Sequence, residues 1–195
     1  MNIGSINMEK IIKKYEFWKN TPGDINEHFE SIKQISSECD IIVEMGIGRI
    51  ISTWAFLAGF PKKLTSYDIN HPQIFGATSN INEVYELANE CGINYSFIQA
   101  DTANVEIEEC DLLFIDTLHT YDHLKKELEI HPKKVKKYII FHDTVTFGSV
   151  GERPNTMGLL PAIYEFLQKS PEWKIKIHYL NNNGLLVLEK NHNPI

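Results

Sequence analysis

Residues 41–55 read IIVEMGIGRIISTWA, which predicts a buried strand that breaks at two glycines and restarts as a helix capped by Ser52 or Thr53. Glycines at such a break let the backbone come close to a ligand at the carboxyl edge of a sheet. The stretch lacks the Gly-Lys-Ser/Thr of a P-loop, and Ile51 stands where a dinucleotide motif has its third glycine. Because Glu44 on the strand tip disfavours a phosphate, the loop is typical of a nucleotide site without a phosphate contact there.

Four later apolar runs of strand length also end in acidic residues. The acids that follow them are Asp68, Asp101, Asp116 and, after His142, Asp143. In a parallel sheet the carboxyl ends of the strands share one edge, so these acids are expected to converge. Asp68 comes about twenty residues after the glycine loop, where α/β folds place a ribose-binding acid. The alternative interpretation of Asp68 is a turn or helix cap.

Strand and helix patterns alternate after residue 40, which predicts βαβ units and a parallel sheet with helices on both faces. Residues 1–38 are predicted to be helical, with an apolar stripe over Met8–Lys19 and a second helix through Ile35. Asn-Gly at Asn183-Gly184 lies between two strand-like runs and predicts a C-terminal antiparallel hairpin. The sequence therefore predicts one α/β domain over residues 1–195, with a Rossmann-like, doubly wound, mostly parallel sheet of about seven strands.

Composition excludes several classes of protein. The net charge is −7 and the isoelectric point about 5.6, so nucleic acid and acidic membranes are not expected partners. No apolar run approaches the roughly 20 residues that span a bilayer, and no signal peptide is expected. The three cysteines, Cys39, Cys91 and Cys110, lack metal-ligand spacing and are expected to be reduced. We expect a cytoplasmic enzyme that acts on a small molecule or glycan. The sequence leaves open whether the chain forms a homodimer.

These motifs resemble those of class I S-adenosylmethionine-dependent methyltransferases, and the resemblance covers nearly the whole chain. Glu44-x-Gly46-x-Gly48 resembles the first motif of that fold, Asp68 its ribose-binding acid and Asp101 its adenine-side acid. The C-terminal hairpin is similar to the family's antiparallel seventh strand. The resemblance implies S-adenosylmethionine as cofactor, with contacts from Glu44, Gly46, Gly48, Ser52, Thr53, Asp68, Asp101 and Asp116.

A narrower resemblance is to the branch that contains macrocin-type sugar O-methyltransferases and relatives named for cephalosporin hydroxylase. It rests on Glu44-Met45-Gly46 with Ser52-Thr53, on Phe114-Ile115-Asp116 with His119 and Tyr121, and on Phe141-His142-Asp143-Thr144. The branch implies methyl transfer to a sugar hydroxyl. In metal-dependent O-methyltransferases the positions of Asp116, His142 and Asp143 carry the metal ligands.

The nature of that metal depends on His142. Oxygen ligands suit magnesium, whereas an imidazole fits manganese, iron or zinc better. Either the metal differs from magnesium, or His142 points elsewhere and only Asp116 and Asp143 bind. We therefore expect a divalent metal, magnesium or manganese, with His142 as the uncertain third ligand.

His119 is the candidate general base, with Asp116 as its catalytic neighbour. Catechol-type relatives place a basic catalytic residue three positions after the acid, and an ordinary imidazole titrates near ~6.5. The alternative is that His119 caps the helix near Tyr121. His28 is a weaker candidate, because its segment could fold over the sheet edge, and the other histidines, His123 among them, are expected to be surface or packing residues.

The segment from Thr144 to Pro161 is too long for a simple connection and is expected to be a lid or binding loop. Arg153, Asn155 and Thr156 could hold acceptor hydroxyls there, and a disordered surface loop is the alternative.

Two other classes of function stay open. One is a metal-independent methyltransferase with a different nitrogen or oxygen acceptor. The other is a non-catalytic protein that binds S-adenosylmethionine. An iron/2-oxoglutarate hydroxylase is disfavoured, because that chemistry belongs to a jelly-roll fold and not to alternating helices and strands.

Overall fold

A computed structural model describes residues 3–76 and 79–191 of the chain. One seven-stranded sheet forms the centre, in the order β3-β2-β1-β4-β5-β7-β6. The strands are β1 Ile41–Met45, β2 Lys63–Asp68, β3 Asn94–Gln99, β4 Cys110–Ile115, β5 Val135–His142, β6 Trp173–Tyr179 and β7 Leu185–Lys190. The prediction of a mostly parallel, seven-stranded, doubly wound sheet is confirmed.

The register brings the ends of the central strands to one edge. β1 lies between β2 and β4, and β4 pairs with β5, all in parallel. β7 then enters antiparallel between β5 and β6, which confirms the predicted C-terminal hairpin. Its turn has left-handed backbone at Asn182, Asn183 and Gly184, with φ of 45°, 68° and 92°. Asparagine and glycine adopt that conformation most readily, so this sequence favours the turn.

Helices cover both faces of the sheet and bury its apolar side chains in two clusters. The helices are α1 Ile3–Lys19, α2 Phe29–Ser36, α3 Ser52–Leu57, α4 Ile81–Glu90, α5 Tyr121–Ile130 and α6 Leu159–Lys169. One cluster joins α1 to α4 with one face of the sheet, and the other joins α5 and α6 with the opposite face. Burial on both faces explains why the buried stretches of β4 and β5, residues 112–115 and 139–141, are apolar without alternation.

The predictions for single residues of the fold have different outcomes. The predicted cap of α3 is wrong: Ile51 is the N-cap residue, and its side chain makes no capping hydrogen bond in the part of the chain that the structure describes. All three cysteines are free, as predicted. Among the described residues, no helix combines the length and the apolarity that a membrane span requires.

Candidate functional site at the carboxyl edge of the sheet

The loops that follow the central strands surround a cavity of about 810 Å³. This cavity opens at the carboxyl edge of the sheet, where the strand order reverses between β1 and β4. Ligands of open α/β sheets bind at such a reversal. The charged and glycine residues that line it are Gly46, Asp68, Asp101, Asp116, His123, Glu152 and Arg153.

Gly46 is the tightest point of the glycine loop. Its φ is +86°, and a Cβ built on it would lie 1.8 Å from the carbonyl oxygen of Asp116. No side chain fits there, because the turn after β1 presses directly on the backbone that leaves β4. Gly48 has φ +46°, and no described residue lies within 4 Å of a Cβ built on it, so among these residues only the conformation favours glycine at that position.

Asp68 and Asp101 are held at the cavity wall by backbone amides. Gly48 N donates to Asp68 Oδ2 at 3.0 Å, and Asn70 N donates to Oδ1 at 2.8 Å. Ala103 N donates to Asp101 Oδ1 at 3.0 Å. Both carboxylates therefore stabilise turns and also line the cavity. The turn interpretation of Asp68 is confirmed, and ribose binding by Asp68 stays a prediction.

Glu44 lies beneath the glycine loop and is fully buried. Hydroxyls of Ser52, Thr53 and Ser66 donate to its carboxylate at 2.6, 2.9 and 2.6 Å. Burial raises the pKa of Glu44 to about 7, although these three hydrogen bonds act to lower it. Glu44, Ser52 and Thr53 do not line the cavity. We therefore correct their predicted role from contact with a cofactor to support of the loop from below.

A second group of polar side chains lies beside the cavity, at the ends of β4 and β5. One ligand atom from each of Asp116, His142 and Asp143 lies within 4.8 Å of the others. His119 Nε2 lies 3.1 Å from Asp116 Oδ1 and 3.1 Å from Asp143 Oδ2. The structure thus brings together the four residues that the sequence proposed for metal binding and catalysis, and their roles stay predictions.

His142 has one ring nitrogen fixed and one without a partner. Its Nε2 donates to the carbonyl oxygen of Asp24 at 3.0 Å. Its buried Nδ1 faces Asp116 Oδ2 at 3.4 Å and Asp143 Oδ2 at 3.8 Å, with no hydrogen-bond partner among the described residues. Asp143 Oδ1 is likewise buried without such a partner. A buried imidazole nitrogen that faces two carboxylates fits a divalent transition-metal ion.

Charge coupling shifts the pKa of each group in this cluster. Burial acts to lower the pKa of His119, but Asp116, Asp143 and Glu152 raise it to about 9. The pKa of His142 is also raised to about 9, against the effect of burial, mainly by Asp116. Burial acts to raise the pKa of Asp116, yet the two histidines hold it below its ordinary value. The expected ordinary pKa of His119 is therefore wrong for the cation-free protein.

Asp143 combines an uncommon backbone with a buried carboxylate. Its φ is 58°, in the left-handed region that non-glycine residues seldom adopt. Burial raises the pKa of its carboxyl group, while His142 acts to lower it. Strained residues that persist at a cleft point to function, because the surrounding structure must hold them there. Two carboxylates at this point require positive charge between them, which protons on the imidazoles or a bound cation would supply.

Two residues at the site were missed by the sequence reasoning. Glu152 lies in the long loop and contacts His119, and its spacing of 33 residues gives no local signal. His123, expected to be a surface or packing residue, lines the cavity and lies 3.2 Å from the buried Glu127. In the loop, Arg153 lines the cavity, whereas the hydroxyl of Thr156 donates to the Arg153 carbonyl at 2.7 Å.

The fold is that of class I methyltransferases of known structure. A structure from Staphylococcus aureus, provisionally described as a caffeoyl-CoA O-methyltransferase, aligns with a TM-score of 0.59 and 20% identity, over 84% of this chain and 82% of that chain. An O-methyltransferase from Bacillus cereus, solved with SAH, aligns with a TM-score of 0.59 and 15% identity, over 95% and 90%.

A ribosomal protein L11 methylase from Lactobacillus delbrueckii subsp. bulgaricus shares the fold as well. Its TM-score is 0.54 at 16% identity, over 86% of this chain and 81% of that chain. Because structures with different acceptors share it, the fold alone does not identify the acceptor. No model of a protein family matches the chain, and no curated protein sequence matches it.

Proposed function

We propose that this chain is an S-adenosylmethionine-dependent O-methyltransferase that methylates a hydroxyl of a carbohydrate with the help of a divalent metal. The observation that carries the proposal is the double position of Asp116. Its side chain lines the cavity beside Gly46 and Asp68, and it also belongs to the cluster with His119, His142 and Asp143. A donor in the cavity and an acceptor at the cluster would therefore meet at Asp116.

The cavity side of the site suits the nucleoside part of the donor. Asp68 and Asp101 present carboxylates at the ends of β2 and β3, already oriented by backbone amides, and such groups accept hydrogen bonds from ribose and adenine. The bound donor would supply a sulfonium methyl group that is reactive without further activation. The chain's main contribution is then alignment, which can lower a barrier by roughly 7–11 kcal/mol.

The cluster side suits activation of the acceptor. Asp116, His142 and Asp143 would hold the metal, which lowers the pKa of a hydroxyl that contacts it. The nitrogen ligand favours manganese, iron or zinc over magnesium. The loop between β5 and α6 contributes Arg153 to the cavity lining, and this polar side chain supports a hydroxyl-rich acceptor such as a sugar.

His119 Nε2 is the atom proposed to receive the acceptor's proton. As the C–S bond of the donor breaks, the new O–C bond forms and the hydroxyl proton passes to this nitrogen. With its pKa raised to about 9, His119 carries a proton at neutral pH in the cation-free protein. Nε2 becomes available when another positive charge is held between Asp116 and Asp143, which supports metal assistance.

Thermal unfolding tests donor binding. At a hundredfold excess over Kd, S-adenosylmethionine should stabilise the fold by ~2.7 kcal/mol, which raises the melting temperature by roughly 5–10 °C in a chain of this size. Asp68→Ala should lose most of this shift. Asp40→Ala, at an exposed acid paired with Lys62 at 2.8 Å, is the matched control and should keep it. No shift in the parent protein would contradict donor binding.

A donor-consumption assay over sugars and glycan fragments tests the acceptor and the metal. Turnover should stop in chelator and return with manganese or zinc more strongly than with magnesium. Undiminished turnover in chelator would exclude the metal and favour a metal-independent methyltransferase. Donor binding without turnover on any acceptor class would favour a binding protein.

A further inference from the structure

The loop between β5 and α6 supplies a carboxylate, Glu152, to the outer side of the His119 ring. We propose that Glu152 is a positioning residue for His119, which keeps a proton on Nδ1 and aims Nε2 at the carboxylates of Asp116 and Asp143. The proposal rests on the proposed function for its catalytic meaning. The contacts that carry it belong to the folded chain alone.

Three hydrogen bonds join the two residues. The Nδ1 of His119 lies 2.5 Å from Glu152 Oε2, and the His119 amide donates to the same oxygen at 3.3 Å. In return, the Glu152 amide donates to the carbonyl oxygen of His119 at 3.0 Å. If the Glu152 side chain rotated away, two of these three hydrogen bonds would break, while the backbone bond would still join the loop to the segment before α5.

The same loop restrains the plane of the ring. Phe147 stacks on His119 with ring centroids 4.7 Å apart and an angle of 11° between the planes. Glu152 fixes the rotation of the imidazole within that plane, and Phe147 fixes its tilt. The side chain of His119 is only 16% exposed, so these contacts dominate its surroundings.

Gly151 shows that the close approach of the loop is built into the backbone. A Cβ on this residue would lie 2.9 Å from the His119 carbonyl oxygen and 2.7 Å from that of Met157. The loop is closed behind Gly151 by a bridge between Val150 and Met157 and by the Gly151 amide, which donates to the Thr156 carbonyl at 2.9 Å. The loop is therefore an ordered clamp, and its predicted alternative as a disordered excursion is wrong.

The chemistry follows from what a carboxylate can do. An ionised carboxylate only accepts hydrogen bonds, so the nitrogen that faces Glu152 must carry the proton. Nε2 is then the ring nitrogen that faces the cluster, and it lies 3.1 Å from one oxygen of Asp116 and one of Asp143. Glu152 thus acts through His119, as the carboxylates that orient catalytic and metal-binding histidines do.

The test combines turnover with a direct view of the ring. In the parent protein, without donor or metal, the Nδ1 proton of His119 should give a downfield, slowly exchanging proton resonance. Glu152→Ala should abolish that resonance and lower kcat about 10–100-fold, the usual loss for an orienting partner of a functional histidine, while KM for the donor stays within about twofold. Glu152→Gln keeps an acceptor oxygen, so it should keep the resonance and recover most of the lost kcat.

Glu165→Ala is the matched control, because it removes a glutamate that pairs with Lys125 on the outside of α5. It should cost stability but change neither the His119 resonance nor kcat. A Glu152→Ala protein with an unchanged resonance and kcat within about threefold of the parent would overturn the proposal. If the parent transfers no methyl group but Glu152→Ala still loses the resonance, the positioning role stands and the proposed function fails. Should Glu152→Ala not fold, a Glu152→Gln protein that lacks the resonance would equally overturn the proposal.

Discussion

The two halves of the site are built in different ways. In the half that follows β1, β2 and β3, the backbone forms the site. A glycine there has no room for a Cβ, and the carboxylate oxygens accept hydrogen bonds from backbone amides. The half after β4 and β5 is made by side chains that depend on one another. There His119 and His142 share the carboxylates of Asp116 and Asp143, and two buried polar atoms have no partner among the described residues.

From this difference we expect the first half of the site to serve ligand binding and the second half to serve activation of the acceptor. A preformed backbone site loses little when a ligand enters, because its polar groups are oriented beforehand. The side-chain half instead holds charges that interact strongly in the buried site, and a ligand or cation changes all of their protonation states together. We therefore expect substitutions in the first half to change affinity and stability, and substitutions in the second half to change turnover.

Asp143→Gly should give the largest effect on turnover, and it should separate turnover most clearly from stability. Removing the carboxylate should lower turnover by about 100-fold or more, because several kcal/mol of activation are lost and each 1.36 kcal/mol is tenfold. Glycine also relieves the left-handed conformation at φ 58°, which costs on the order of 1–3 kcal/mol. Calorimetry should find a melting temperature equal to or above that of the parent, with the donor-induced shift retained. If stability and turnover fell together, the two halves of the site would not differ in this way.

Gly46→Ala against Gly48→Ala tests the backbone half. Both glycines have positive φ, but among the described residues a neighbour blocks a Cβ only at Gly46. Gly46→Ala should cost about 3 kcal/mol or more, from strain and from the clash with Asp116, which lowers the melting temperature by roughly 6–12 °C, and donor binding should be lost. Gly48→Ala should cost only about 1 kcal/mol. Equal losses for the two variants would show that conformation, and not the close approach, is what requires glycine.

The pH dependence of stability should give the smallest effect. The pKa values of His119 and His142 are raised to about 9 in the folded, cation-free protein, against ~6.5 in an unfolded chain. Their contribution to stability is therefore complete below about pH 6.5 and is lost as the pH rises through 9. In chelator, the melting temperature should fall by a few degrees between pH 7.5 and 9.5, a range that lies above the pKa of Glu44 of about 7.

His119→Gln is the control for that measurement. It removes one of the two raised histidines, so the fall with pH should become shallower. A bound cation should flatten it too, since it replaces the protons between the carboxylates. A curve that is unchanged by the substitution would place the titrating group elsewhere.

The two halves also differed in how far the sequence predicted them. Gly46, Asp68 and Asp101 were found because strand ends and glycine spacing are local patterns, and the parallel sheet then brings them together. The same pattern placed Asp116 and Asp143 at this edge, whereas His119 and His142 became candidates through the resemblance to known methyltransferases. The roles of all four residues stay predictions. The shifted pKa values of these side chains were not predicted, because they depend on contacts between residues that are far apart in the chain.

Glu44 and Glu152 show the two kinds of failure. Glu44 is in the predicted motif, but the alternation of a strand that is buried on both faces turns its side chain away from the cavity. Glu152 lies in a loop whose path is set by Gly151, by the Val150–Met157 bridge and by the backbone of His119. No local pattern records such a path. The length of the loop indicated a role, but it could not say which residue would fill it.

The hydrogen bond from His142 to the carbonyl oxygen of Asp24 bears on the order in which the parts of the molecule fold. It spans 118 positions of the chain. The same N-terminal segment is tied to the C-terminal turn, since Asn182 donates to Gly23 and His28 contacts the Asn181 carbonyl. Contacts of such separation form late, because the entropy of closing the intervening chain must be overcome first. During synthesis, the strands up to β5 are complete before the C-terminal turn that holds this N-terminal segment, so we expect the ring of His142 to be fixed only after β6 and β7 have joined the sheet.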